Sequence, residues 1–189
     1  MIQSKEDLYH YLKQDRIMNW ADGKVDLIHA IKNVILPNKR LRYLRILRKA
    51  EYYTNNNNVL QYWYQYRLLR LGLRLGYSIP INVFGPGLSL PHYGTIIVHI
   101  NSKIGSNCRL HACVNIGAKG GKAPTLGDNV YIGPSAVVFG DIHIADNITI
   151  GANATVNKSF NVENVAIAGS PAHVIKENVP SWVERHNLD

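Results

Sequence analysis

The sequence has little cysteine, no long apolar run and no sign of an export signal. Its two cysteines, Cys108 and Cys113, are too few and too close for a disulfide framework and form a weak metal signal, so we expect both to be small buried residues. No stretch approaches the roughly 20 apolar residues of a membrane span. The N-terminus lacks the charged-then-apolar layout of a secretion signal. These absences predict a cytoplasmic protein.

Acidic residues are also scarce: 13 Asp and Glu stand against 21 Lys and Arg, which gives a net charge of +8. Much of the excess lies between Lys39 and Arg74. A basic surface attracts nucleic acid, anionic lipid or a phosphorylated ligand. Because no nucleic-acid-binding motif is present, we expect no nucleic-acid partner. The basic, aromatic stretch is either a solvated face or a surface that docks weakly at the inner face of a membrane.

The chain changes character near Gly76. Before it, apolar residues recur at helical spacing, and Ser4 followed by Asp7 predicts a capped helix start. Pro37 is predicted to precede a second helix, and residues 55–58 to form a loop before a third. We therefore expect three parts, which are a helical segment over 1–76, a β domain over 77–173 and a C-terminal tail with a short helix over 174–189.

From Phe84 onward the sequence repeats every six residues. Each unit starts with an aliphatic residue, glycine or another small residue often follows, and the fifth position is usually small or β-branched. A slip of two residues precedes Val98, and an excess of four precedes Leu126. A period held this long predicts a solenoid in which three hexapeptides make one coil and the first-position residues stack inside. Those residues are Leu90, Val98, Ile104, Leu110, Ile116, Leu126, Ile132, Val138, Ile144, Ile150 and Val156.

This repeat resembles the hexapeptide-repeat acyltransferase superfamily. The stretches 85–94 (GPGLSLPHYG), 114–118 (VNIGA) and 168–172 (AGSPA) resemble serine O-acetyltransferases, most closely the shorter relatives from capsule and exopolysaccharide gene sets. The resemblance implies a mainly β fold, a left-handed parallel β-helix with an α-helical N-terminal segment and a short C-terminal helix. It also implies acetyl-CoA as donor, a histidine as general base and a homotrimer with active sites between neighbouring β-helices.

His92 matches the family's catalytic histidine, and an imidazole suits the removal of a hydroxyl proton near neutral pH. The sequence departs from the serine-acetylating pattern nearby. Pro91 stands where the family has an Asp. The family's second histidine corresponds to a position near Ala123, and the family's Asp that orients the base corresponds to Tyr77, so this chain lacks all three groups. Without these groups we expect the acceptor to be a neutral sugar hydroxyl in capsular or exopolysaccharide biosynthesis. A backbone carbonyl or Tyr77 is left to orient His92.

His111 follows His92 by one coil, which predicts a place on the same side of the prism within about 8 Å. It either binds the acceptor, stabilises the oxyanion or is a surface corner residue. Tyr93, His99 and Tyr77 are further acceptor-binding candidates, and the loop 119–122 is expected to overhang the cleft. For CoA, the resemblance implies small residues along one edge, here Gly117, Ala118, Ser135, Ala136, Ala152, Asn153, Ala168, Gly169 and Ser170. Because the chain is basic, Lys158 and Lys176 either bind the nucleotide phosphates or are ordinary solvated lysines.

Three other functions are alternatives to sugar O-acetylation. The first is serine O-acetylation of cysteine biosynthesis with a rearranged acceptor pocket. The second is a metal-dependent hydratase of the carbonic anhydrase type, but His92, His99 and His111 lack the spacing it needs, so we expect no metal. The third is a β-helix that only binds or scaffolds.

Overall fold

Among the residues that the structure describes, three helices precede the strands and a fourth follows them. The computed structural model describes residues 1–19 and 38–188, so Pro37 lies outside the described residues. The first helix begins with the predicted capping box of Ser4 and Asp7, the second is capped by the Asn38 side chain, and the third ends at Gly76 with φ +79°. The helices are α1 (Lys5–Met18), α2 (Lys39–Asn55), α3 (Leu60–Leu75) and α4 (Trp182–Arg185).

The strands form three sheets that are the faces of a prism of about five coils. All neighbouring strands pair in parallel except the last two, which form an antiparallel hairpin. Face A consists of β1 (Tyr77–Ser78), β2 (Ile96–Val98), β5 (Asn115–Gly117), β8 (Val137–Phe139) and β11 (Thr155–Val156). Face B consists of β3 (Lys103–Ile104), β6 (Thr125–Leu126) and β9 (His143–Ile144). Face C consists of β4 (Arg109–Leu110), β7 (Tyr131–Ile132), β10 (Thr149–Ile150), β12 (Ala166–Gly169) and β13 (Ala172–Lys176).

The inside of the prism is filled by the residues that the six-residue period predicts. Every first-position residue from Leu90 to Val156 is buried. The fifth positions are buried as well: Cys108, Val114, Val130, Ala136, Ile142, Ile148 and Ala154. Because each coil contacts only its neighbours, this stacked column of apolar side chains is the main stabilising contact along the prism axis.

The corners between faces B and C show why asparagine recurs in the sequence. Asn107, Asn129 and Asn147 all have φ between +54° and +59°, a left-handed conformation that asparagine tolerates better than most residues. Their side chains bond in series, from Asn107 Nδ2 to Asn129 Oδ1 at 3.0 Å and from Asn129 Nδ2 to Asn147 Oδ1 at 2.9 Å. Gly85 is required on this edge because a Cβ there would lie 2.8 Å from the Gly105 carbonyl carbon.

Both predicted irregularities in the period lie where the sequence places them. In the regular case a strand residue pairs with the residue three hexapeptides later, as Ile97 does with Asn115. Ser89 instead pairs with Arg109, two positions beyond that spacing, so the extra two residues fall between 89 and 97. Asn115 pairs with Val137, four positions beyond the regular spacing, so the four extra residues form the loop that follows β5.

The helices cover the open end of the first coil, which has no earlier coil to pair with. Arg48 of α2 is fully buried and donates to the carbonyls of Phe84 and Gly85. It also pairs with Asp15 of α1 at 2.8 Å and with Glu51 at 3.0 Å. Asp15 in turn accepts hydrogen bonds from the backbone N–H groups of Gly87 and Leu88 at 2.9 Å. The helical segment therefore caps the prism and satisfies its exposed strand edges.

Three details differ from the sequence-based expectations. The helical spacing of apolar residues before Gly76 includes Leu60, Trp63, Leu68 and Leu75 of α3 and predicts one buried face. Leu68 and Leu75 are buried, but Leu60 and Trp63 are exposed. Cys113 is exposed, whereas Cys108 is buried. The predicted boundary at residue 173 falls inside β13, because the chain turns back along face C before it leaves the prism. The tail then contains only the short helix α4, whose Trp182 packs on face C and donates to the Asn107 carbonyl at 2.8 Å.

Candidate active site on one edge of the β-helix

The turns that join face C to face A stack into one edge, called here the C–A edge. Ser135 N–H donates to the Ala112 carbonyl at 3.0 Å, and Asn153 N–H donates to the Pro134 carbonyl at 2.9 Å. Small residues dominate the two later turns, 133–136 and 151–154, so ligands have close access to the backbone there. From the first coil to the fourth, the turns of the C–A edge are 91–95, 111–114, 133–136 and 151–154.

His92 and His111 lie together in the first two turns of this edge. Their ring centroids are 5.3 Å apart and the rings are tilted by 50°, so the proximity predicted from the coil count is confirmed. His92 is exposed, whereas His111 is half-buried and its ring also lies 4.9 Å from that of Tyr131. One imidazole therefore faces solvent and a second supports it from the neighbouring coil.

The surroundings of His111 keep it neutral. Burial lowers its pKa to about 4, and the positive charges of Arg109 and His92 contribute to the shift. Arg109 Nε lies 3.5 Å from His111 Nε2 and donates towards it. With Nε2 as acceptor, the proton of neutral His111 is on Nδ1, so this side chain offers one N–H donor at the edge.

The loop that carries His92 is held by hydrogen bonds that its backbone carbonyl groups accept from side chains. Tyr77 Oη donates to the His92 carbonyl at 2.6 Å, and Arg40 Nη1 donates to the carbonyls of Leu90, at 2.8 Å, and Pro91. Burial raises the pKa of Tyr77 to about 12, so the phenol stays a donor at neutral pH. Of the two candidates for orienting His92, Tyr77 makes a contact, but with the backbone of His92 and not with its ring.

The other acceptor-binding candidates are divided between two edges. Tyr93 is exposed next to His92, with the Arg40 guanidinium 5.7 Å from its ring centroid. His99 follows β2 and so lies at the far side of face A from the C–A edge. Its Nδ1 accepts a hydrogen bond from the Asn101 N–H at 3.2 Å, which makes it a corner residue of the edge between faces A and B, the A–B edge.

The residues predicted to bind CoA do not form one continuous edge. Ser135, Ala152 and Asn153 are exposed on the C–A edge, and Ala136 lies beside them with its side chain buried inside the prism. The segment 168–170 reaches the same edge, where Ser170 Oγ donates to Thr155 Oγ1 at 2.9 Å.

The remaining CoA candidates lie elsewhere on the prism. Gly117 ends β5 and Ala118 follows it, so both lie on the A–B edge, as does Lys158, whose ammonium is 5.5 Å from the Phe160 ring centroid. Lys176 pairs with Ala166 at the end of face C remote from the C–A edge. The expectation of a single edge was wrong, because it counted hexapeptides without assigning each turn to a corner.

The loop after β5 also belongs to the A–B edge. Lys119 and Lys122 bond to each other's backbone, and the Lys122 ammonium pairs with Asp141 at 2.6 Å. Asn101 Nδ2 donates to the Gly121 carbonyl at 3.1 Å. Within one chain the loop therefore packs along its own edge, on the other side of face A from His92.

Sequence reasoning missed three residues around the histidine pair: Arg40, Arg109 and Tyr131. Arg109 and Tyr131 both occupy outward positions of face C. Arg109 lies two residues before His111, and Tyr131 is its partner in the next coil. Strand alternation combined with the coil count could therefore have predicted both residues near His111. Arg40 carried no such signal, because its contact with Leu90 joins residues 50 positions apart.

Two absences apply to residues 1–19 and 38–188. No group of three or more His, Cys, Asp or Glu side chains in these ranges is placed to hold a metal ion. Among the same residues, no helix is both long and apolar enough to cross a membrane.

The repeat has a counterpart among known families. Residues 123–158 match the model of a protein family described as bacterial transferase hexapeptide (six repeats). A serine acetyltransferase from Staphylococcus epidermidis is 31% identical over 97 residues, which cover 49% of this chain and 45% of the relative. The chain thus spans about half the length of the curated relatives it matches.

Solved structures share the architecture. The crystal structure of serine acetyltransferase from Brucella abortus aligns with a TM-score of 0.73 over 92% of this chain and 70% of the other, at 24% identity. Soybean serine acetyltransferase complexed with serine aligns with a TM-score of 0.73 over 90% of this chain and 70% of the other, at 20% identity. These likenesses confirm the predicted fold class, a left-handed parallel β-helix of hexapeptide repeats. The named relatives contradict the sugar acceptor predicted from the sequence and favour the serine alternative.

Proposed function

We propose that this chain is an O-acetyltransferase that transfers the acetyl group of acetyl-CoA to the hydroxyl of serine. The observation that carries the proposal is the His92–His111 pair, 5.3 Å apart, at the start of an edge lined by small residues. The serine acetyltransferases that resemble the chain support the choice of acceptor. A pair of imidazoles of which one is exposed suits proton transfer from a hydroxyl to a base.

The prediction of a sugar acceptor rested on missing charged groups at Pro91, Ala123 and Tyr77, and it did not consider charged side chains from other elements of the fold. Arg109 lies beside His111, and Arg40 is near enough for its charge to lower the pKa of Arg109, although burial is the larger cause. These guanidinium groups suit the carboxylate of an amino acid. We therefore assign the acceptor carboxylate to the side of the pair on which the arginines lie.

In the proposed reaction His92 is the general base. The serine hydroxyl oxygen attacks the thioester carbonyl carbon while the His92 imidazole takes the hydroxyl proton. The carbon–sulfur bond then breaks, and the imidazolium returns the proton to the departing thiolate, so the products are O-acetylserine and CoA. Neutral His111 contributes its Nδ1–H as a donor to the oxygen on which negative charge develops.

The donor is assigned to the C–A edge beyond His111. Ser135, Ala152 and Asn153 leave this edge narrow, which suits close approach of a pantetheine arm to the backbone. Lys158 and Gly117 lie on the A–B edge of the same chain, so they serve the donor only if a neighbouring copy brings that edge alongside. The homotrimer expected from the resemblance has this property and remains a proposal, which light scattering of the purified protein tests.

Thiol release from acetyl-CoA, followed together with acetylserine by mass spectrometry, tests the reaction. With serine as acceptor, His92→Ala is expected to lower kcat by roughly 10²- to 10⁴-fold, the usual contribution of a general base. His143→Ala, which removes an exposed histidine of face B, is the matched control and should keep full activity. Release that requires a different hydroxyl compound would refute the serine acceptor, and release unaffected by His92→Ala would refute the base.

Cys113 gives a separate test of the donor position. It is the exposed member of the two cysteines and lies in the same turn of the C–A edge as Ala112. We expect saturating CoA to slow alkylation of Cys113 by iodoacetamide at least several-fold, because a pantetheine arm on this edge covers the thiol. Buried Cys108 is the internal control, and unchanged labelling of Cys113 would place the donor elsewhere.

Weak membrane association, expected from the basic helices, also remains a proposal. Residues 38–75 contain nine Lys and Arg but only one acidic residue, Glu51, a net charge of +8 that equals that of the whole chain. Arg42, Arg67, Arg70 and Arg74 line a cavity of about 190 Å³. Flotation with anionic vesicles at low salt should recover the protein, while zwitterionic vesicles should not. Absence of flotation would refute membrane association and would mean that this face contacts solvent or a second copy of the chain.

A further inference from the structure

Three consecutive peptide carbonyls, those of Leu90, Pro91 and His92, accept hydrogen bonds from side chains of α2 and β1. Arg40 Nη1 donates to the carbonyls of Leu90 and Pro91, and Tyr77 Oη donates to that of His92. Downstream, the Gly94 N–H donates to the Leu75 carbonyl at 3.3 Å, at the end of α3. These anchors lie in α2, in α3 and in the first strand, and the Leu90 N–H also donates to Asn19 Oδ1 at 2.9 Å, just past the end of α1.

The place of the loop in the fold explains why it needs such anchors. In later turns of the C–A edge the backbone bonds to the neighbouring coil, as Ser135 does to Ala112. The turn at His92 belongs to the first coil, so its outer side has no preceding coil, and the two-residue slip in this turn removes it from the regular register. Backbone carbonyls left without partners there are costly if buried and mobile if exposed.

We propose that Arg40 and Tyr77 are positioning residues that fix the His92 imidazole through its backbone. The inference rests on the proposed function of His92 as base. In this sequence Tyr77 occupies the register at which the resembled family has an acid that orients the histidine ring, and its hydroxyl instead holds the main chain of the same histidine. A base must lie within hydrogen-bond reach of its proton, and displacements of about 1 Å cost up to 10²-fold in rate.

Tyr77→Phe is the sharpest test, since it removes one oxygen and keeps the buried ring. We expect kcat to fall roughly 10- to 100-fold while KM for acetyl-CoA stays within about twofold. Tyr43→Phe is the matched control: Tyr43 is also buried, its ring centroid lies 5.1 Å from that of Tyr77, and its hydroxyl bonds to the Ile79 backbone. It removes a comparable buried hydroxyl without touching His92, so kcat should not change. Equal losses in both variants would reduce Tyr77 to a structural role and overturn the proposal.

Arg40 is tested by graded substitution. Arg40→Ala removes both carbonyl contacts, and Arg40→Lys keeps the charge but has a single ammonium in place of the planar guanidinium fork. We expect kcat in the order wild type, Arg40→Lys, Arg40→Ala, with Arg42→Lys, an exposed change on the same helix, equal to wild type. If charge near the site were the only contribution of Arg40, Arg40→Lys would be fully active, and that result would overturn its part in the proposal.

A readout independent of turnover separates this inference from the proposed reaction. The ring ¹H–¹³C signal of His92, assigned by its loss in His92→Ala, should be single and narrow in the wild type. It should broaden or split in Tyr77→Phe and remain unchanged in Tyr43→Phe. Inactivity of the wild type with serine would reject the proposed reaction, and the His92 signal would still decide whether the loop is fixed; an identical signal in all three proteins would overturn the positioning proposal.

Discussion

In the coils of the β-helix, a residue finds its partner at the equivalent position one turn away. Asn129 bonds to Asn107 and Asn147, and Ile132 lies in register with Leu110 and Ile150. Within residues 1–19 and 38–76, the polar contacts of the helical cap follow no repeat: Arg48 alone joins two carboxylates to the carbonyls of Phe84 and Gly85. The coils therefore distribute their polar contacts over many similar bonds, whereas the cap concentrates its polar contacts in a few buried charges.

This difference has a physical cause in the first coil. A parallel coil satisfies its backbone with the coil on either side, and the first coil has such a neighbour on one side only. Polar side chains of the helices take the missing positions, and a charged side chain that does so must be buried with its counter-ion. Although burial opposes the charge, Asp15 and Glu51 raise the pKa of Arg48 above its usual value.

The largest effect is expected where the charges are concentrated. Arg48→Met keeps the length of the side chain but leaves Asp15 and Glu51 buried without their partner, which costs about 3–5 kcal/mol of the free energy of unfolding. Arg45→Met, an exposed change on the same helix, should stay within about 0.5 kcal/mol of wild type. Urea unfolding of both variants measures the difference. A loss in Arg48→Met no larger than in the control would show that the cap does not depend on the buried cluster.

A smaller loss is expected from a single position in the coils, because the neighbouring coils retain their own bonds. Asn129→Ala removes two side-chain hydrogen bonds and places an alanine at φ +56°, a conformation that costs roughly 1–2 kcal/mol in itself. Asn129→Gly loses the same bonds without that strain. In thermal unfolding, Asn129→Gly should therefore be the more stable of the two, and Asn157→Ala, at an exposed position outside the positive-φ corners, should resemble wild type. Equal melting temperatures for the two Asn129 variants would contradict the strain argument.

The smallest effect concerns pH and the site where cap and coils meet. Burial, Arg109 and His92 hold the pKa of His111 at about 4, below the ordinary value of 6.5 that applies in the unfolded chain, and Tyr131 packs against the same ring. As the pH falls, the unfolded chain takes up this proton first, so the folded state loses stability between about pH 6.5 and pH 4.

His111→Asn should remove part of that loss, so its stability should depend less on pH than that of wild type over this interval. His143→Asn, at an exposed histidine on face B, should leave the wild-type dependence intact. Chemical denaturation at a series of pH values gives both curves. Identical slopes for wild type and His111→Asn would mean that His111 is not held neutral by its surroundings.

Much of the fold could be predicted because the period of six acts locally and repeatedly. The inward positions, the slip before Val98 and the insertion before Leu126 all follow from counting residues. The meeting of His92 and His111 follows from the same count, since one coil separates them. The donor residues were expected on one edge only because their turns were not assigned to corners: the same count, taken in threes, places Gly117 and Lys158 on the A–B edge and Ser135 and Ala152 on the C–A edge.

The acceptor could not be predicted for a different reason. The argument for a sugar assumed that charges missing from familiar positions were missing from the site. Arg40 and Arg109 reach the histidine pair from α2 and from face C, and neither stands where a motif would place it. The relatives then contradicted the inference that the sequence departures had suggested.

The sequence by itself determined a prism of stacked coils, its apolar interior and the one-coil separation of the two histidines, because in a repeat each residue's neighbours are its own equivalents. Only the tertiary structure decided what surrounds the first coil. Asp15 bonds to Gly87, 72 residues away, and Arg40 bonds to Leu90, 50 residues away. Such contacts exist because the open coil end must satisfy its backbone groups with whatever the chain folds against it, and no spacing along the sequence records which side chains those will be.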